Sequence, residues 1–251
     1  MTTFNDLFKR GGPVIGMYVS SPDPETLELI KEAGFDFVRL DYEHVLFSYS
    51  ELRELIRVAT LLDLPCQVRV SNLHDITKLL DIGATGIVVP DVNTVERAKE
   101  AVMCTKYYPL GARGMFAVGR NMPLNGCETF TDYVKIANDV VTLTVQVEDV
   151  NSAQFLDEIA SIEGIDMLAS GKADISQSAG IPGQTGDPRV VEMERLIIKK
   201  AVEHGKDVSI LAQNRKSIDE LSQLGVRVFI VGPDSIIIKN AFKTLAKELK
   251  G

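Results

Sequence analysis

Long apolar runs, paired cysteines and basic clusters are all missing from this 251-residue chain, and each absence removes a class of function. No segment runs for eighteen apolar residues, so no membrane-spanning helix is expected. The start, Met1-Thr2-Thr3-Phe4-Asn5-Asp6, lacks the charged segment, apolar run and small-residue cleavage site of a secretory signal, which predicts a cytoplasmic protein. Cys66, Cys104 and Cys127 are odd in number, widely spaced and form no CxxC pair, so neither a disulfide framework nor a zinc knuckle is indicated. The formal charge of −8 repels a phosphate backbone, and the lysines and arginines are dispersed, so nucleic acid is not an expected partner. The dinucleotide turn GxGxxG is absent from Val14-Ile15-Gly16-Met17-Tyr18-Val19-Ser20-Ser21. Gly180 to Pro188 lacks the GK[ST] ending of a phosphate loop and reads as an ordinary βα loop whose proline starts a helix.

What is present is a repeating junction: a helical stretch, a glycine, then a short apolar run. It occurs at Gly34, Gly83, Gly164, Gly205 and Gly225. A glycine just past a helix supplies the left-handed C′ conformation, and the apolar run after it reads as a buried parallel strand. The runs predict strands near 14–19, 37–41, 66–70, 86–89, 142–147, 165–169, 208–211 and 227–231. Eight strands alternating with helices in about 250 residues predict an α/β fold, a single (β/α)8 TIM barrel over residues 1–251; an open doubly wound sheet is the rival. One interval is long, about 50 residues between Val89 and Thr142, with helices expected near 94–104 and 129–139. It carries too few apolar residues for its own core and reads as a lid or an oligomer contact.

Barrel active sites lie at the C-terminal strand ends. The polar residues expected there are Asp41-Tyr42-Glu43-His44 after strand 2, Arg69 in strand 3, Gln146 and Glu148 ending strand 5, and Ser170-Gly171-Lys172-Ala173-Asp174 after strand 6. Glu148 and Asp174 end neighbouring strands, so their carboxylates can converge on a hard cation such as Mg²⁺ or Mn²⁺; either could instead cap a turn, as Asp149 or Asn151 could. Arg69 offers a fixed fork to a carboxylate or enolate oxygen, or a salt bridge to a neighbouring strand end. His44, close to Asp41 and Glu43, is the histidine placed to act as a base; His74 reads as a helix-start residue and His204 as a helix-end residue. Lys172 follows Gly171 in an expected loop, which disfavours a Schiff-base lysine.

With these residues in place, the chain resembles the HpcH/HpaI aldolase family from about Gly16 to the C-terminus. Ala33-Gly34-Phe35-Asp36, Asp41-Tyr42-Glu43-His44, Val68-Arg69-Val70, Leu79 to Ala84, Arg113-Gly114, Val145-Gln146-Val147-Glu148 and Ala173-Asp174-Ile175-Ser176 carry the resemblance. It implies a metal-dependent (class II) aldolase that cleaves a 4-hydroxy-2-oxo acid to pyruvate and an aldehyde. Glu148 and Asp174 would bind a divalent metal (Mg²⁺, Mn²⁺ or Co²⁺) that chelates the 2-oxo acid. Backbone amides near Ala173 and Asp174 would hold its carboxylate, Gln146 would line the site, Arg69 would stabilise the enolate, and His44, paired with Asp41, would be the acid/base group. The resemblance also implies a homo-oligomer, a hexamer exchanging its last helix. Two departures stand near the site. Tyr42 replaces a smaller residue and is expected to crowd the aldehyde, and Lys172 replaces a proline and is expected to loosen the loop carrying Asp174. Two other functions fit the same residues: a citrate lyase β-like or malyl-CoA lyase-like enzyme, and a non-catalytic 2-oxo acid binding protein.

Overall fold

The structure, a computed structural model, describes residues 1–251. Eight strands close into an all-parallel barrel in chain order: β1 (Val14–Val19), β2 (Phe37–Asp41), β3 (Cys66–Arg69), β4 (Gly86–Val89), β5 (Thr142–Val147), β6 (Met167–Ser170), β7 (Asp207–Leu211) and β8 (Val228–Val231), with β8 pairing back onto β1. The glycine junctions fall where expected, with positive φ at Gly34, Gly83, Gly164, Gly205 and Gly225. β6 starts two residues later than the apolar run suggests. Asp166 spends its carboxylate on the Leu143 N–H (2.7 Å) and on Lys106 (2.9 Å), tying the foot of the sheet to the helix layer. No helix is long and apolar enough to cross a membrane.

The apolar core is divided unequally. Forty-seven buried residues form one cluster built largely from the strands' outward faces and the surrounding helices, whereas seven form a second at the barrel's foot, so apolar packing leaves the middle of the barrel free for polar side chains. The foot is sealed by the helix Phe4–Lys9, which the sequence pattern does not announce. Its start is fixed by a capping box between Thr3 and Asp6, and Phe4 meets the edge of Phe37 with ring centroids 4.9 Å apart. Gly16 makes room for that ring: a Cβ there would lie 2.5 Å from Phe37.

The long interval packs at the foot of the barrel from Lys106 onward. Arg113 bonds Asp81 at 2.6 Å, Asn121 bonds the Leu80 carbonyl, and Lys106 donates to Asp166 and to the Val141 and Asn138 carbonyls. None of its residues lines the mouth cavity, which corrects the expectation of a lid. It also builds a small core of its own, with Tyr107, Tyr133 and Ala137 buried together, because three aromatic rings including Phe130 meet edge to face or tilted. The last helix, Asp234–Lys250, is exposed from residue 235 onward, including Ile236, Ile237, Ile238, Phe242 and Leu245.

Candidate active site

A cavity of about 890 Å³ descends from the strand ends to the middle of the barrel, walled by Tyr18, Arg39, Arg69, Gln146, Asp174 and Ser209 among others. A second, of about 660 Å³, is an open groove between the helix Asp234–Lys250 and Ser20-Ser21 just past β1, lined by serines, lysines and apolar residues with no acid–base pair. The chemistry belongs to the first.

Glu148 stands one residue past β5, 8% exposed, against the wall formed by Gln146 and Gly171. Gln146 donates to its Oε1 at 2.6 Å and the Asp91 N–H to its Oε2 at 2.7 Å. Asp91 reaches it from a left-handed backbone (φ 54°), a conformation aspartate tolerates. Asn93 Oδ1 accepts the N–H groups of Glu148 and Asp149, each at 3.1 Å. Neither Asp91 nor Asn93 is identified from sequence. The capping role falls to Asp149, whose side chain takes the Asn151 N–H at 2.7 Å.

Asp174 lies in the first turn of the helix Lys172–Ser178, exposed to the cavity, and it neither caps that turn nor pairs with a cation. Burial, with the charge of Asp174 added, pushes the Glu148 carboxyl up to about 7. Gly171 is needed between them, since a Cβ there would come within 2.4 Å of Glu148 Oε1. Two converging carboxylates with no basic partner of their own, joined by no third acidic, histidine or cysteine side chain, fit a hard divalent cation that keeps open positions.

Arg69 is held by Asp41 through two parallel bonds of 3.1 Å, touches Glu43 Oε2 at 3.0 Å and lies over the Tyr18 ring at 5.2 Å. Both sequence readings of Arg69 therefore hold geometrically: it faces the cavity and it bridges neighbouring strand ends. The expected pairing of His44 with Asp41 is corrected. Asp41 Oδ1 accepts the backbone N–H of His44 at 3.2 Å and spends its oxygens on Arg69, while the His44 ring, 63% exposed, lies 3.6 Å from Glu43 Oε2. Burial pushes the Glu43 carboxyl up, against the pull of Arg69 and His44. Glu43 is thus the carboxylate that joins the arginine to the histidine.

Both expected departures resolve differently. Tyr42 follows the inward Asp41, so strand alternation turns it outward; it packs on the core beside Tyr49, 6.3 Å between centroids, and takes no room from the cavity. Lys172 opens a helix instead of sitting in a loop, and its Nζ is anchored on Glu194 at 3.0 Å, which also accepts from Ser170 at 2.9 Å. Ile175 N–H bonds the Gly171 carbonyl at 2.8 Å, so the segment carrying Asp174 is tied down without a proline. The first-turn N–H groups of Lys172, Ala173 and Asp174 have no partner within their helix, as at any helix start.

A family model described as HpcH/HpaI aldolase/citrate lyase matches residues 14–241. The hydroxypyruvate/pyruvate aldolase of Deinococcus radiodurans is 34% identical over 99% of this chain and 90% of that protein. A 2-keto-3-deoxy-L-rhamnonate aldolase of Klebsiella pneumoniae is 32% identical over 92% and 87%. The crystal structure of the citrate synthase SbnG superposes with a TM-score of 0.89 at 34% identity, over 99% of this chain and 98% of that one. With the same barrel and a match spanning nearly its whole length, the chain belongs to the HpcH/HpaI aldolase/citrate lyase family, whose named members make or break carbon–carbon bonds.

Proposed function

We propose that the protein is a divalent-metal-dependent aldolase that cleaves a 4-hydroxy-2-oxo acid to pyruvate, or a close 2-oxo acid, and an aldehyde. The observation that carries this reading is the convergence of Glu148 and Asp174 beside the cavity that Arg69 and His44 also line. Glu148 and Asp174 would hold the cation, Mg²⁺, Mn²⁺ or Co²⁺. When bound it supplies Lewis-acid polarisation of the 2-oxo group. Gln146 fixes the Glu148 carboxylate, and Asp91 and Asn93 hold the turn that presents it. Cleavage between C3 and C4 leaves an enolate and requires the 4-hydroxyl to lose its proton. Arg69, locked by Asp41, presents its guanidinium to the developing oxyanion without rearranging. His44, with Glu43 behind it, receives the hydroxyl proton. The free amides around Ala173 and Asp174 suit the substrate carboxylate.

A chelator-stripped sample assayed for pyruvate release from 4-hydroxy-2-oxo acids, with a lactate dehydrogenase couple and with or without Mn²⁺, tests this. Metal-restored release that disappears in Glu148→Ala is the expected result. Pyruvate binding without turnover of any substrate would replace the aldolase by a binding protein. The likeness to a citrate synthase favours a second reading, carbon–carbon bond chemistry on a thioester, which citrate formation from oxaloacetate and acetyl-CoA would reveal.

A further inference from the structure

Arg39 lies inside the barrel, one inward position below Asp41 on β2, and is 4% exposed. Its Nε donates to Gln67 Oε1 at 3.1 Å, and its Nη2 to Gln67 Oε1 and Ser209 Oγ, each at 2.8 Å. These acceptors are neutral, and Nη1 donates to nothing in the chain. The other buried cations are each answered by a carboxylate: Arg69 by Asp41 at 3.0 Å, Lys106 by Asp166 at 2.9 Å, Arg113 by Asp81 at 2.6 Å. Arg39 has no such partner, and a buried charge without a counter-charge is costly to keep.

Its surroundings are equally unusual for a barrel interior, which branched apolar side chains ordinarily fill in layers. Around Arg39 stand Tyr18, Gln67, Thr144, Ala169 and Ser209, polar or small, and the cavity reaches Arg39, Tyr18, Ala169 and Ser209. The Tyr18 hydroxyl is buried and has no hydrogen-bond partner. At the base of the cavity a full positive charge therefore stands without a counter-charge, beside a phenol whose hydroxyl has no partner. Higher up, Arg195 and Glu220 are exposed at the rim, and Lys172 is met by Glu194. Arg69 is met by Asp41 and Glu43, and a divalent cation would meet Glu148 and Asp174.

We propose that Arg39 and Tyr18 form a carboxylate subsite at the base of the cavity, so that the 2-oxo acid taken by this protein carries a second carboxylate. This rests on the 2-oxo acid reading above and narrows it to 2-oxo dicarboxylic acids. A carboxylate matches the planar guanidinium and the phenol together, as a hydrogen-bond fork and a single donor. The subsite acts on specificity: it selects and seats the substrate and takes no proton.

Calorimetric titration of the protein in Mn²⁺ with pyruvate, oxaloacetate, 2-oxoglutarate and succinate tests the subsite. The best dicarboxylate is expected to bind about tenfold or more tightly than pyruvate, the span of a charge-assisted hydrogen bond being about tenfold to a hundredfold. Arg39→Leu should erase that preference and leave pyruvate binding unchanged. Tyr18→Phe, which removes only the hydroxyl, should weaken dicarboxylates alone. Should Arg39→Leu fail to fold, the wild-type preference and Tyr18→Phe decide. Equal binding of pyruvate and every dicarboxylate by the wild type, or a preference that survives Arg39→Leu in a folded protein, overturns the subsite. If pyruvate fails to bind while dicarboxylate affinity still depends on Arg39, the subsite stands and the aldolase reading falls. If pyruvate binds and is turned over while dicarboxylate affinity shows no dependence on Arg39, the reverse holds.

Discussion

Arg69 and Glu148 show how single side chains are tuned by what holds them. The guanidinium of Arg69 is clamped by the two parallel bonds it donates to Asp41, so its orientation is set before substrate arrives. Lysine keeps the charge but loses the fork. Arg69→Lys is accordingly expected to lower kcat/KM by about a hundredfold or more, the usual loss for one oxyanion donor, with the thermal midpoint measured beside it to separate catalysis from folding. For Glu148 the consequence is a pH dependence of stability. Its folded value of about 7 lies above the ordinary 4.5, so between those values the folded, metal-free protein keeps a proton that the unfolded chain has released. The contribution of this group to stability is therefore intact below about 4.5 and is lost as pH rises toward about 7. Thermal melts of chelator-treated wild type and Glu148→Gln across that window should converge at the acid end and separate at the neutral end, the variant being the more stable; parallel curves would contradict the burial of this carboxyl.

At the level of elements, the corner between β6 and the helix Lys172–Ser178 is set by Gly171. Gly171→Ala should leave the barrel folded but displace Glu148, seen as weaker Mn²⁺ binding in a titration and a matching loss of activity. The foot of the barrel carries a stability test instead. Phe4→Ala removes a fully buried ring and should cost about 3–5 kcal/mol by chemical denaturation, with metal binding retained. These two places also divide what the sequence reveals from what it hides. Barrel strands buried on both faces read as unbroken apolar runs, as in Gly86-Ile87-Val88-Val89, so their positions are legible. The six-residue helix that begins at Phe4 is too short for a period to register. The motif around Asp41 identifies the right residues, but adjacency along the chain does not reveal that Asp41 turns to Arg69 and leaves His44 to Glu43. Asp91 is hidden for a related reason: its role depends on a left-handed φ that composition does not encode.

For the molecule as a whole, the uncovered face of the helix Asp234–Lys250 asks for a partner. Phe242 is 68% exposed and Leu245 53%, on a helix whose body makes little contact with its own barrel. Apolar surface of this kind marks an interaction site, and a further copy of the chain, in the hexamer that the family resemblance implies, is the proposed occupant. Light scattering of the full chain should give an oligomer mass, and Phe242→Asp with Leu245→Asp should shift it toward the monomer.

The seal that Phe4 and Phe37 make at the foot of the barrel has a kinetic meaning. The cavity is a well with one opening, so two reactants can only be loaded in sequence and unloaded in reverse. Under the proposed aldolase reaction the 2-oxo acid would occupy the depth and the aldehyde the rim, so in cleavage the aldehyde would leave first and the 2-oxo acid would stay until the way is clear. Product inhibition should therefore be competitive for the 2-oxo acid against the substrate and mixed for the aldehyde, the signature of an enzyme whose order of events is dictated by a closed floor.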